Sequence, residues 1–238
     1  MSKTIRLVIA CVVGQFLAQS ALEVAAAEGF YEGKTLRFVV GYSAGGGYDT
    51  YTRTIARHIN KHIPGRPTSI VENKPGAGGL VTVGYLYHQA KPDGLTIGNW
   101  NGGLALQRYL GQGGVQFDPT KFETIGVPVG NTQVCVVNKA TGIATVDAWR
   151  ASKQPVKLGG LGPGTSPSDV TRILSEALGL PIQLVEGYKG GAEVRLAVDT
   201  GEVDGMCGLP WEIAKPTWQQ QLPKMTVILQ ALPKPHAD

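Results

Sequence analysis

The sequence predicts an α/β protein of two doubly wound lobes with a cleft between them, and three observations carry that expectation. Short β-branched runs alternate with segments of helical periodicity, the order of sheets covered by helices on both faces. Strand-to-helix junctions are repeatedly rich in glycine, as at residues 43–49, 73–79, 159–169 and 186–191. A glycine-rich stretch at 99–114, followed by the proline-broken FDPTKFE at 117–123, separates two such series.

In the first series, residues 36–40 (LRFVV) read as a buried strand, and Tyr51, Ile55 and Ile59 recur at the four-residue spacing of one helical face. The turn between them, 43–49, therefore opens a helix. The first N–H groups of a helix lack internal partners and carry the positive end of its dipole, so this turn fits a carboxylate or phosphate. A second strand at 68–71 leads through NKPGAGG into a helix at 80–90 carrying Val83, Leu86 and Tyr87. The turn KPDG then introduces a third strand at 95–98.

The second series offers strands at 124–127, 134–137 and 156–158, with a short helix at 146–151 that Thr145 caps. The turn GGLGPGTSPSD leads into a helix at 170–178 whose Val170, Ile173, Leu174 and Leu178 share a face. Gly190 and Gly191 precede a helix at 192–200, and residues 203–208 return as a strand. These boundaries give a leader at 1–27, a first lobe at 28–103, a second lobe at 104–222, and a strand at 225–229 heading back toward the first lobe. The order ends there without the helix that would cover that strand, so the C-terminal part of the first lobe is read as missing.

Lys3 and Arg6, a short apolar core and the small residues Ala25, Ala26 and Ala27 make residues 1–27 a secretory signal peptide. Its apolar run is shorter than the roughly 20 residues a bilayer span needs. Removing Lys3, Arg6 and Glu23 leaves a positive surplus of about three charges, too small and too scattered for nucleic acid. Cys135 and Cys207 are the only thiols after residue 27; export permits a disulfide between them, and two separate buried thiols are the alternative. Neither has a companion at metal-ligand spacing, and His58 and His62 read as a solvated helix face, so no metal and no cofactor are expected.

Two rival readings fail on context. GYSAG at 41–45 matches the GxSxG nucleophile elbow, and Ser43, Asp204 and His236 follow hydrolase order. In that fold, however, several strands precede the elbow, whereas here it follows the first strand. A dinucleotide fingerprint counted from Gly45 would put its third glycine at Thr50. Several helix-opening glycine turns spread over two lobes instead converge on a crevice, where open α/β sheets bind ligands.

The motifs GYSAGGGYDTYTRTIARHI, IVENKPGAGG, KPDGLTIG, GPGTSPSD, GYKGGAEVRLAV and GEVDG, in that order, resemble those of the extracytoplasmic solute receptors of tripartite tricarboxylate transporters, the Bug family. The resemblance implies a type II periplasmic binding-protein fold, with crossings near 99–104 and 225–229. It further implies a monomeric periplasmic receptor, not an enzyme, which takes a small organic carboxylate and passes it to membrane transporter subunits. The implied ligand contacts are Tyr42, Ser43, Ala44, Gly45, Gly46, Gly47 and Asp49, with Ala77 and Gly78, from the first lobe. Gly164, Thr165, Ser166, Ser168 and Asp169 are those of the second. Asp49 is expected to cap a helix or orient water, since a like charge repels the ligand. Family members often carry histidine where Asp169 stands, so ligand identity does not carry over. Trp100 and Trp211 are each read either as stacking surfaces or as core.

Overall fold

The computed structural model describes residues 29–231 apart from 112, 129 and 131. The expected leader and His236 lie outside the described residues.

The first sheet is parallel, in the order β2-β1-β3, and is built from β1 (Thr35–Val40), β2 (Thr68–Asn73) and β3 (Thr96–Asn99). β1 is central because it is the most apolar of the three: Leu36, Phe38, Val39 and Val40 are all buried. The helix α1 (Gly47–Ile59) crosses from β1 to β2, and Ile55, Ala56 and Ile59 pack on Leu36 and Phe38. α2 (Leu80–His88) crosses from β2 to β3. A short α3 (Gly103–Tyr109) follows, and its Leu104 packs with Val83, Phe117 and Trp100.

The second sheet has five strands in the order β6-β5-β7-β4-β8. Its strands are β4 (Gln133–Asn138), β5 (Val156–Gly159), β6 (Ile182–Val185), β7 (Gly205–Pro210) and β8 (Met225–Ala231). Four helices connect them: α4 (Val146–Arg150), α5 (Ser166–Leu178), α6 (Gly191–Asp199) and α7 (Trp211–Thr217). Strand alternation buries β4 on both faces: Val134 and Val136 join one core with Met206 and Trp218, while Cys135 and Val137 join another with Trp149 and Leu158. Thr145 caps α4 as expected, accepting from the Ala148 amide at 3.1 Å. Cys135 and Cys207 form a disulfide between β4 and β7 inside this double core.

Two expectations are corrected. Residues 124–127 form no strand: Ile125 and Val127 are 80% and 85% exposed, because no neighbouring strand offers its edge to them. The second sheet is mixed, with β4 antiparallel to β7 and β8. β8 is an edge strand of that second sheet, and, being antiparallel to β4, it runs in the direction of β5, toward the first lobe; its Ile228 and Leu229 pack into the second lobe's core.

Candidate functional site

All four glycine turns lie at the carboxyl ends of parallel strands. The turn after β1 is shaped by one carboxylate. Asp49, in the first turn of α1, is 3% exposed and accepts from the Gly45 amide (2.9 Å), Arg53 Nε (2.9 Å) and Asn73 Nδ2 (2.9 Å). Burial pushes its pKa up, but the bonds from Arg53, Gly45 and Asn73 more than offset this and hold it below the ordinary carboxylate value. Asn73 also donates to the Tyr42 carbonyl, and Asn99 to Thr52 Oγ1 and the Tyr48 carbonyl. Both asparagines end their strands, so the sheet itself braces the turn. Tyr42 stacks on Tyr48 with centroids 4.3 Å apart. Burial pushes both phenols up, Tyr48 to about 12.

The turn after β2 is a run of positive φ: Gly76 at 139°, Ala77 at 47°, Gly78 at 64° and Gly79 at 105°. Only glycine adopts this region freely, and the strained Ala77 is held there by its neighbours. Tyr42 Oη donates to the Gly78 carbonyl at 3.0 Å, tying the first two turns together.

In the second lobe the turn after β5 is held chiefly by hydroxyls. Ser168 Oγ accepts from the Gly162 amide, and Thr165 Oγ1 donates to the Gly162 carbonyl. The Gly164 amide donates to Asp169 Oδ1 at 3.1 Å. α5 starts at Ser166, four residues before the expected Val170, since Pro167 is tolerated in a first helical turn. After β6, the Lys189 amide donates to Glu193 Oε2 (2.7 Å) and Tyr188 Oη to Glu202 Oε1 (2.6 Å).

The turns meet in pairs across the cleft. The Ser43 amide donates to the Lys189 carbonyl at 2.9 Å, and Gly46 sits so close to α6 that a Cβ there would be 3.6 Å from the Gly191 nitrogen. Gly78 faces the second lobe in the same way, where a Cβ would stand 3.3 Å from Thr165 Cγ2 and 3.6 Å from the Leu161 and Pro163 carbonyls. Between these contacts lies a cavity of ≈ 70 Å³ lined by Tyr42, residues 76–79, Leu161 and residues 187–189. Ser43 Oγ, Gln107 Oε1 and Trp211 Nε1 are buried without a hydrogen-bond partner, an expensive condition for a polar atom.

Of the residues expected from sequence, Tyr42, Ala77 and Gly78 line the cavity, and Ser43 and Gly46 sit at the lobe-to-lobe contact. Ala44 and Gly45 are exposed, while Gly47 lies against Ile213 of α7. Asp49, Ser168 and Asp169 turn onto their own loops. Gly164 packs on Leu104 and Gln107, Thr165 is buried, and Ser166 Oγ meets Asn101 Nδ2 at 3.3 Å. The residues missed were Gly76, Gly79, Leu161, Gly187, Tyr188 and Lys189; the glycine turns NKPGAGG, GGLGPGTSPSD and EGYKGGAEV that hold them were their sequence signal. Trp100 is core, packed edge-on and tilted against Phe117 and Phe122. Trp211 packs with the cluster that includes Tyr42, Tyr48 and Tyr188.

The hydrolase reading is not supported. Asp204 accepts from the Lys157 amide inside the second sheet, and Ser43 Oγ has no hydrogen-bond partner among the described residues.

The two α/β lobes set their glycine turns opposite each other across a cleft, the place where open α/β sheets bind ligands. Residues 52–224 match the model of the tripartite tricarboxylate transporter family receptor, and the chain belongs to that family. It is 30% identical over 181 residues to the UPF0065 protein in the gbd 5' region of Cupriavidus necator, covering 74% of this chain and 54% of that protein. The chain thus spans about half the length of this curated relative. Its fold is similar to that of the periplasmic binding protein BugD (TM-score 0.71, 24% identity, 86% of this chain and 68% of that one). It is likewise similar to MatC from Rhodopseudomonas palustris with bound malate (TM-score 0.71, 21% identity, 84% and 68%).

Proposed function

We propose that this chain is a periplasmic receptor that captures a small organic carboxylate between its lobes and delivers it to the membrane subunits of a tripartite tricarboxylate-type transporter. The observation that carries the reading is the pairing of glycine turns from opposite lobes around one cavity. Peptide amides in such turns bond a carboxylate without a desolvated arginine, and water fills the remaining positions, so release stays as easy as capture. Family membership supports the transporter partnership, and the malate bound to MatC supports the ligand class. Tyr42, Ser43, Gly46, Ala77, Gly78 and Thr165 are the residues of the predicted set assigned to the ligand's surroundings. Asp49 and Asp169 are assigned to shaping the loops.

Capture then proceeds by hinge closure, in which the ligand favours the conformation where both sets of turns touch it. Calorimetry against mono-, di- and tricarboxylates tests this. Binding of at least one acid is expected, and Gly46→Phe, which wedges the lobes apart, should abolish it. Binding that survives Gly46→Phe, or no binding by any acid, contradicts the reading.

A further inference from the structure

We propose that the outer face of α1 and the loop after it adsorb the protein to an anionic phospholipid surface through Arg57, Lys61 and Arg66. The proposal goes beyond the carboxylate reading above and does not depend on which solute the cleft holds.

The chain's charge is unevenly placed. Residues 50–71 carry Arg53, Arg57, Lys61 and Arg66 with no aspartate or glutamate, which equals the formal surplus of +4 of the whole chain, so the remainder of the sequence is balanced. The fold gathers this surplus on one side. Thr52 and Ala56 are buried, and Ile55, Ile59 and Ile63 pack on Leu36 and Phe38, so the opposite stripe, with Arg57, His58, Lys61, His62 and Arg66, is exposed.

Arg53 is committed to Asp49 and Asn73, whereas Arg57, Lys61 and Arg66 form no salt bridge among the described residues. The neighbouring elements do not neutralise them. On β2, Ser69 and Val71 face α1, so Glu72 lies on the other face of the sheet, where it pairs with Arg37. Glu32, whose backbone passes Gly65, is exposed and makes no salt bridge with the stripe.

A fitted protein interface is centred on buried apolar anchors within a polar rim. None of the exposed large hydrophobic residues falls within 41–69, so the stripe offers charge without an anchor, which suits a fluid layer of phosphate headgroups. Each Lys or Arg held within a Debye length of such a layer strengthens adsorption about fivefold, and three together give on the order of a hundredfold. That concentrates a receptor at the membrane and still lets it leave. The 13 residues of α1 run about 20 Å from the glycine turn at the cleft, so contact through the far end leaves the cleft uncovered.

Co-sedimentation with phosphatidylcholine vesicles, pure or carrying about one-third phosphatidylglycerol, gives the test. The protein is used with residues 1–27 removed, so that the apolar leader makes no contribution. Partitioning onto the phosphatidylglycerol vesicles should be at least about tenfold stronger than onto pure phosphatidylcholine at about 0.01 M salt, and should vanish at about 1 M. The triple variant Arg57→Gln, Lys61→Gln, Arg66→Gln should fall to the phosphatidylcholine level with its thermal unfolding unchanged. A control with the same loss of charge at the exposed Lys91, Lys153 and Lys224, each changed to Gln, should stay within about twofold of the parent. Equal partitioning onto both kinds of vesicle overturns the proposal and leaves the stripe to an acidic protein surface. Equal losses in the two triple variants overturn it as well, since net charge rather than this face would then be responsible.

Discussion

In the first lobe the turn into α1 is held by a buried charge; in the second, the turn into α5 is held mainly by hydroxyls. Both turns follow a parallel strand, both open a helix, and both clip a loop amide onto an aspartate of the first helical turn. The aspartates nevertheless sit in different surroundings. Asp49 is enclosed by Arg53, Asn73 and the Gly45 amide, whereas the Asp169 side chain is 39% exposed and its arginine lies closer to Glu186. The same turn can thus be made rigid either by desolvating an ion pair within a full set of bonds or by interlocking Thr165 and Ser168 with Gly162.

Removing the shape of the second turn should have the largest effect. Gly164 has φ of +81°, and a Cβ there would stand 2.7 Å from Gln107 Cγ and 2.9 Å from Leu104 Cδ2. Gly164→Ala combines backbone strain with overpacking and should cost about 3–5 kcal/mol in urea unfolding. Asp49→Ala should cost about 2–3 kcal/mol, since three donors lose a charged acceptor. The folded pKa of Asp49 is lowered, so its contribution is complete above its unfolded value of 3.8 and is lost as pH falls through the folded value. Melting temperatures followed downward from about pH 5 should fall more steeply in the parent than in Asp49→Asn.

Gly45→Ala sharpens the contrast with Gly164. Its φ is also positive, +76°, but nothing lies within 4 Å of the added Cβ, so only the backbone term of about 1–2 kcal/mol is expected. The smallest effect belongs to Asp169→Ala, below about 1 kcal/mol, because that carboxylate is partly solvated. Equal losses at Asp49 and Asp169 in the same unfolding assay would break the comparison.

Much of this was legible in the sequence because the turns are written in glycine and proline, whose backbone preferences are local. The strands at 36–40, 68–71, 134–137 and 156–158 fall within observed elements for the same reason: β-branched runs end where the turns begin. Residues 124–127 carry a similar apolar signal but find no partner, and partnering is not a local property. The placement of β8 beside β4 escaped the sequence because sheet order is set by distant chain segments. Asn73 and Asn99 were overlooked as single polar residues at strand ends; their value comes from reaching the neighbouring turn. Lys189 was hidden because its amide and carbonyl find their partners, Glu193 and Ser43, only in the folded chain.

Amide proton–nitrogen NMR spectra recorded during titration with hexanoate and with succinate test the central claim most directly. A carboxylate enclosed by turns of both lobes should shift the Ser43, Ala77 and Gly78 resonances of the first lobe together with those of Thr165 and Lys189 in the second, along one binding curve. Shifts confined to one lobe, or to residues away from these turns, would contradict it.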